Sequence, residues 1–507
     1  MNSNAVASNA VSSVMGFLLE KLQNNSNTPN LPQSIVILGE SNHANQSSYP
    51  TNPLQLTSAK MAGENYGYGS PIHGVARILF PANGTATPIP VWVYPQAEAA
   101  GAVGKVITIT VTGAATSTGT IYLNIAGRES IDGSSYGVNV VSGDSVATII
   151  SKISNAVNNA LNCPMTETAT TVSTVVLTAN WYGLTSNDLS VTIDLNGFAL
   201  GTTFSVATTT PGSATPATAT ALTSIGNAWR TLIINTYGLV SATIAELEAW
   251  NGVPDPTNPT GRYIPTLFKP AFALSGTCLD DPTSITGVTA RQSQVTIVPC
   301  VAPKSQGMPY EAAANVAYLL ASVLQDNPES DVINRVYPDM PGPIVGAIPS
   351  MNTQSIRETY VQKGCSTVDF VNGVYKIKDL VTTYNVAGEY PPYYRWVRDL
   401  NIYFNYKFAY RLLEETNLIG KTLVPDASVV IVADIIKPKI WKALVCALNE
   451  NLEKRALLVN VDANNATIQV SINSINQNRL DTIQDIQISG IVRIAATSVY
   501  AGFYFGN

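Results

Sequence analysis

The chain has 507 residues, more than one simple core accommodates, so two to four domains are expected. Hydrophobic residues make up 45% and charged residues only 12%, about half the usual share, with a net charge of -6 and a pI near 5.1. No Lys/Arg run exceeds two residues, which excludes a clustered phosphate-binding surface, and no run of 18 apolar residues provides a membrane-spanning helix.

The missing charge is replaced by Asn, Thr, Ser and Ala. Such a surface repels its own copies weakly and suits stacking; composition alone leaves a neutral secreted protein equally open. The five cysteines (Cys163, Cys278, Cys300, Cys365, Cys446) are odd in number, far apart and without a Cys-x-x-Cys. They read as buried free thilols of a reducing cytosol rather than a disulfide framework or zinc site. The segment Met1–Leu19 lacks a basic residue before its apolar part, so it does not read as a signal peptide.

Residues 1–31 are rich in Asn and Ser, and within them Val11, Val14, Phe17, Leu18 and Leu22 recur at helical spacing. They read as a short sticky segment on an arm, or as a plain tail. "SIVILGES" (Ser34–Ser41) and "PVWVYP" (Pro90–Pro95) are buried strands, with helix, Gly-rich loop and second helix between them. From about 100 to 216, Thr, Ser, Ala, Val and Gly dominate. "KVITITVTGAATSTGTIYLNIAG" predicts a hairpin, and "SGDSVATIISKISNAVNNALN" a helix with the stripe Val146, Ile149, Ile150, Ile153, Val157 and Leu161, capped by Asp144 or Ser145. "TVSTVVLTA" and "LSVTIDL" add strands, and "TTTPGSATPATAT" reads as a linker. After it, strands and helices alternate through "TLIINTYG", "SATIAELEAWNG", "YIPTLFKPAFAL", "QVTIVPCVAP" and "PYEAAANVAYLLASVLQ", which predicts a partly parallel sheet with helices on its faces. In the last third, "GCSTVDFVNGVYKIKDLVTTYN" predicts a hairpin turning at Asn372-Gly373, followed by two helices and the strands "ATIQVSINSIN", "RLDTIQDIQISG" and "IVRIAATSVYAGFYF". The ending alternates apolar Val499, Ala501, Phe503 and Phe505 with Tyr500, Gly502 and Tyr504, a strand pattern at a chain end that is usually polar.

No catalytic set stands out. Only His43 and His73 are present, and Ser70 with His73 reads as a pair of solvated turn residues. "GAVGK" (Gly101–Lys105) lacks the spacing and the hydroxyl residue of a phosphate loop, and "GENYGYG" lacks that of a dinucleotide loop. Asp280-Asp281 and "DNPESD" could bind a cation such as calcium, but adjacent acids in loops are mostly surface turns, and they are read as such. No catalytic, cofactor or metal site is expected, and the chain is not read as an enzyme.

Several segments, in order, resemble the contractile phage tail sheath proteins of the Mu-like family. They are "LPQSIVILGES", "LTSAKMAGENYGYGSPIHGVARILF", "PVWVYP", "GTIYLNIAGR", "SGDSVATII", "GLTSNDLSV", "GCSTVDFVNGVYKIKDLVTTYNV" and the closing "NRLDTIQDIQISGIVRIAATSVYAGFYF". The resemblance covers most of the chain. It departs at "NYGYGS", where the family carries a Leu-Phe-Gly-like motif, and in the long aromatic ending.

The resemblance implies an α+β multidomain subunit with four parts. These are an N-terminal arm (1–31), an α/β sheath core (32–99 with 217–354), an inserted β-rich outer domain (100–216) and a C-terminal α+β domain (355–507) ending in a connector strand (491–507). It implies a homo-oligomer of stacked rings, usually of six, around a tail tube, with baseplate and tail terminator proteins as further partners. Neither direct nucleic-acid binding nor membrane insertion is expected. The subunits would be assembled in the host bacterial cytoplasm and carried in the virion tail. Terminal arms would add strands to neighbours, through Val11, Val14, Phe17, Leu18 and Leu22 at one end and Val499, Tyr500, Phe503, Tyr504 and Phe505 at the other. Each strand hydrogen bond contributes about 1 kcal/mol net and each buried Phe roughly 1.5–3 kcal/mol, so one arm would hold a neighbour by several kcal/mol. Folding of the last strand onto its own domain remains the alternative. The other readings are the sheath of a phage-like bacteriocin or secretion injector, a β-rich adhesin, and a hydrolase built around His43 or His73.

Overall fold

The computed structural model describes residues 29–128, 136–284, 291–389, 394–499 and 501. It is a mixed α+β architecture in several sheets, and it divides into two compact units. Among the described residues, those from 31 to 407 together with 490–499 and 501 form the larger unit, and 408–489 with 29–30 the smaller.

The larger unit opens with β1 (Ile35–Glu40) and β2 (Leu54–Leu56), the helices Ala59–Tyr66 and Pro71–Leu79, and β3 (Val91–Gln96). Seven strands and one long helix follow. They are β4 (Val106–Thr112), β5 (Gly119–Ile125), β6 (Tyr136–Val140), the helix Val146–Asn158, β7 (Met165–Thr170), β8 (Thr174–Ala179), β9 (Val191–Asp194) and β10 (Thr203–Thr210). The chain then returns through β11 (Leu232–Asn235), the helix Ser241–Asn251, β12 (Phe272–Thr277), β13 (Ile297–Val301) and the helix Pro309–Leu324.

β13-β12-β11-β1-β3-β2 is the order of the main sheet, parallel throughout except for β2 against β3. Every residue of β1, β11, β12 and β13 is buried, which is why these strands read as apolar runs rather than alternating ones, with the polar Glu40, Asn235, Ser275 and Thr277 only toward their C-terminal ends. Gly276 in β12 lies so close to the start of the helix Pro309–Leu324 that a Cβ there would stand 1.7 Å from the Pro309 carbonyl oxygen.

The insert differs from expectation. β4 and β5 do not form a hairpin. β4 pairs with β10 and β8, in the sheet β10-β4-β8-β7, and β5 pairs with β6 and β9, in the sheet β6-β5-β9. Period-two alternation identifies a strand but not its partner, and both strands have a buried face to cover. The helix Val146–Asn158 packs against β4, β6, β7 and β8, so it touches both sheets. Ser145 caps it, its hydroxyl accepting the Thr148 N–H at 3.2 Å, and Ile149, Ile150, Ile153 and Val157 are its buried stripe. Leu161 lies past the helix end and is exposed.

β14 (Thr367–Val371) and β15 (Val374–Asp379) are antiparallel, and Asn372 and Gly373 turn between them at φ of 55° and 82°. Both positive angles fit the two-residue turn that Asn-Gly favours. The helix Val397–Asn417 follows.

The smaller unit contains β16 (Thr422–Leu423) parallel to β17 (Ile435–Ile436), the helices Pro438–Lys454 and Val461–Thr467, and the antiparallel pair β18 (Gln469–Ile472) and β19 (Leu480–Ile483). Its core gathers on Trp441, buried with Ile436, Val445 and Ile468. The Trp441 indole N–H donates to the Thr482 hydroxyl at 3.0 Å, tying helix to hairpin.

The expected closing strands are not formed over 490–499: none of these residues belongs to a strand. An isolated strand leaves its backbone groups unpaired, so it needs a partner segment, and among the described residues of this chain none supplies one.

Candidate assembly surface

The residue types that suggested chemistry are all engaged structurally. Ser70 is buried, not solvated, because its hydroxyl caps the helix Pro71–Leu79 by accepting the His73 N–H at 3.1 Å. His73 is buried too, and its Nδ1 accepts the Gly69 N–H at 3.1 Å. His43 stacks on Tyr182 with ring centroids 3.8 Å apart and holds Glu98 at 2.7 Å. Lys105 of "GAVGK" donates to the carbonyls of Asn187 and Leu189. Asp280 accepts the Ser350 N–H and faces Lys304 at 3.3 Å, while Asp281 accepts the Thr283 N–H in a local turn.

A cleft of ≈ 630 Å³ opens beside the ends of β11 and β12, with Asp188, Cys278, Lys304 and Ser305 on its walls and neither histidine. Burial pushes the thiols of Cys278, Cys300, Cys365 and Cys446 up, away from the nucleophilic thiolate. All five cysteines are free. Among the described residues, no group of three His, Cys, Asp or Glu is placed to hold a metal, and no helix is long and apolar enough to cross a membrane.

Apolar surface without a partner is the more informative feature. In the larger unit, Ile344, Val345 and Ile348 stand out in the loop "PGPIVGAIP", with Val345 fully exposed. In the smaller unit, "SVVIVA" (Ser428–Ala433) runs between β16 and β17 with Val429 and Ile431 fully exposed. Val429 to Val432 are four consecutive β-branched residues, a strong strand signal in the sequence, yet they form no strand here. β18 and β19 pair only with each other among the described residues, so each has an open edge.

The third exposed segment is the chain ending. Val492, Ile494 and Val499 are all more than four-fifths exposed. Between the first two, the Arg493 guanidinium lies 3.7 Å over the Trp396 ring and donates to Asp331 at 2.7 Å. Of the expected connector residues, Val499 is described and exposed. Tyr500, Phe503, Tyr504 and Phe505 lie outside the described residues, as do Val11, Val14, Phe17, Leu18 and Leu22.

No family model matches the chain. A curated relative, the Mu-like prophage FluMu tail sheath protein of Haemophilus influenzae, is 22% identical over 488 residues, 94% of each chain. Among solved structures, a sheath tail protein from Desulfitobacterium hafniense aligns over 94% of this chain and 100% of its own, at 10% identity and a TM-score of 0.42. A chain of the anti-feeding prophage baseplate aligns over 54% of this chain and 69% of its own, at 11% identity and a TM-score of 0.36. The resemblance carried by the ordered motifs thus extends from end to end: this chain is similar over nearly its whole length to a Mu-like prophage tail sheath protein.

Proposed function

We propose that the chain is a structural subunit of a bacteriophage's contractile tail sheath. It polymerises as stacked, six-membered rings around a tail tube, and contraction drives the tube through the host envelope. The observation that carries this reading is the end-to-end match with the tail sheath relative, 94% of both chains. The exposed β-branched and apolar segments support it, because contiguous unpartnered apolar surface marks interaction sites.

In this reading, residues 1–31 and 491–507 are arms, residues 32–99 with 217–354 the core, 100–216 an outer domain, and 355–507 the inner domain. Val499 through Phe505 add a strand to a neighbouring subunit, and Val11 to Leu22 dock the other arm. Contraction has to slide subunits without detaching them, which a strand on a tether permits and a flat rigid interface does not. The low charge of the surface keeps the desolvation cost of new body-to-body contacts small. Tube, baseplate and terminator proteins complete the tail.

Electron microscopy of the purified full chain is the test. Tubes or stacked rings are expected. Strictly monomeric particles at high concentration would overturn the reading.

A further inference from the structure

Burial along the chain ending changes abruptly at one residue. Ile491 and Arg493 are partly buried, while Gly490 and Val492 are exposed, the two-residue alternation of a segment lying on a surface. From Ile494 through Val499 every residue is exposed. Arg493 is therefore the last described residue that docks on the chain's own larger unit.

Its contacts are those of a built socket. The guanidinium lies 3.7 Å over the Trp396 ring, and Nη2 donates to Asp331 Oδ2 at 2.7 Å. The Arg493 side chain is 15% exposed and that of Asp331 only 6%. The other Asp331 oxygen accepts the Val332 N–H at 2.6 Å, which fixes the carboxylate in place. Arg398 pairs with Asp399 at 3.1 Å beside it, so the charges around Arg493 are matched. A planar cation stacked on an aromatic face and charge-paired in a semi-buried site is what arginine supplies and lysine does not.

We propose that Arg493 is the pin of the C-terminal connector, a positioning residue that anchors the root of the arm to its own subunit and fixes where the arm departs toward a second copy of the chain. The inference rests on the connector reading above. Five residues, Ile494 to Ser498, separate the pin from Val499, the first connector residue, and the six steps from Arg493 to Val499 span at most roughly 20 Å when extended. The pin thus confines the strand to a short radius around Trp396 and raises its effective concentration at one neighbouring site. When a neighbour pulls on the arm, the load passes into the body at Arg493 and not through the Ser489–Leu457 pairing that precedes Gly490.

Arg493 is also the last basic residue of the chain, so trypsin cleavage after it releases residues 494–507 and reports whether the pin is seated. The test compares Asp331→Asn, Trp396→Leu and a deletion of residues 499–507 in the full chain. Mass spectrometry follows tryptic release, and light scattering follows the concentration needed for assembly. Asp331→Asn and Trp396→Leu are expected to speed release roughly tenfold or more in the unassembled protein and to raise the assembly concentration by a similar factor. Their thermal midpoints should stay near wild type. Wild-type release rates in both variants would overturn the pin. Fast release with unchanged assembly would overturn its role in presenting the arm. Normal assembly of the 499–507 deletion would instead overturn the connector reading, leaving the release rates to judge the pin alone.

Discussion

Arg128 and Glu311, 183 positions apart, meet at 2.8 Å where the end of β5 reaches the first turn of the helix Pro309–Leu324. The same guanidinium holds both oxygens of Asp339 at 3.0 Å. Glu311 is almost wholly buried, and its other oxygen accepts the Met308 N–H at 3.0 Å, capping the helix. One arginine therefore joins the insert to the main sheet's longest covering helix. Arg128→Ala leaves a buried carboxylate uncompensated, so a loss of about 3–5 kcal/mol is expected. Arg128→Lys should recover only part of it, because an ammonium cannot serve both carboxylates in a fork. Urea denaturation of the two variants checks this; a loss below about 1 kcal/mol for Arg128→Ala would mean that other contacts hold the insert.

Gly276 offers a cleaner steric test. A methyl group there meets the Pro309 carbonyl oxygen at 1.7 Å, and the obstacle is backbone at a helix start rather than a flexible side chain. The helix has to lift from β12 to admit it. Gly276→Ala is expected to cost about 3 kcal/mol, the upper end of ordinary overpacking. Thermal denaturation beside a control such as Gly101→Ala, which has open space around it but a φ of 72°, separates collision from backbone strain.

These two positions also show what a linear reading can and cannot recover. The apolar strands of the parallel sheet, the helical stripe of Ile149, Ile150, Ile153 and Val157, and the Asn372-Gly373 turn were legible because their causes are local in sequence. The pairing of β4 with β8 and β10, and of β5 with β6 and β9, was not, since alternation is blind to partners. Single arginines such as Arg128 and Arg493 carry no local signal at all; their partners lie 183 and 162 positions away. Ser70 and His73 were misread as solvated because a capping hydroxyl and a loop hydroxyl look alike until the helix behind them is packed. The closing segment read as a strand and forms none over 490–499, because alternation marks strand-forming residues without supplying the edge they pair with.

A pH dependence follows from Glu248. Burial raises its carboxyl from the ordinary 4.5 to about 7, outweighing the adjacent Arg291 guanidinium. A carboxyl with a raised folded-state pKa binds its proton more tightly when folded. Its contribution is therefore fully present below about 4.5 and is lost as pH rises through about 7. Stability of the larger unit should fall between pH 5 and pH 8, and Glu248→Gln should flatten that fall. Denaturant midpoints at the two pH values decide it; an identical fall in the variant would place the titrating group elsewhere.

The last prediction concerns surface that folding does not need. Val345 occupies a turn closed by the Ala347 N–H donating to the Ile344 carbonyl at 2.9 Å, with Gly346 at a φ of 86° supplying the turn's left-handed position. The turn is held by its backbone, so the apolar side chain at its tip does nothing for the fold. The same holds for Val429 and Ile431, fully exposed between β16 and β17. Val345→Ser and the pair Val429→Ser with Ile431→Ser should therefore shift stability by no more than about 0.5 kcal/mol. If these patches are buried between copies in an assembled sheath, each buried Val or Ile contributes roughly 1.5–3 kcal/mol there. The polar variants should then need at least tenfold more protein to form tubes, because a 1.4 kcal/mol loss is already a factor of ten. Unchanged assembly by both variants, measured by sedimentation across a concentration series, would show that neither patch lies between subunits.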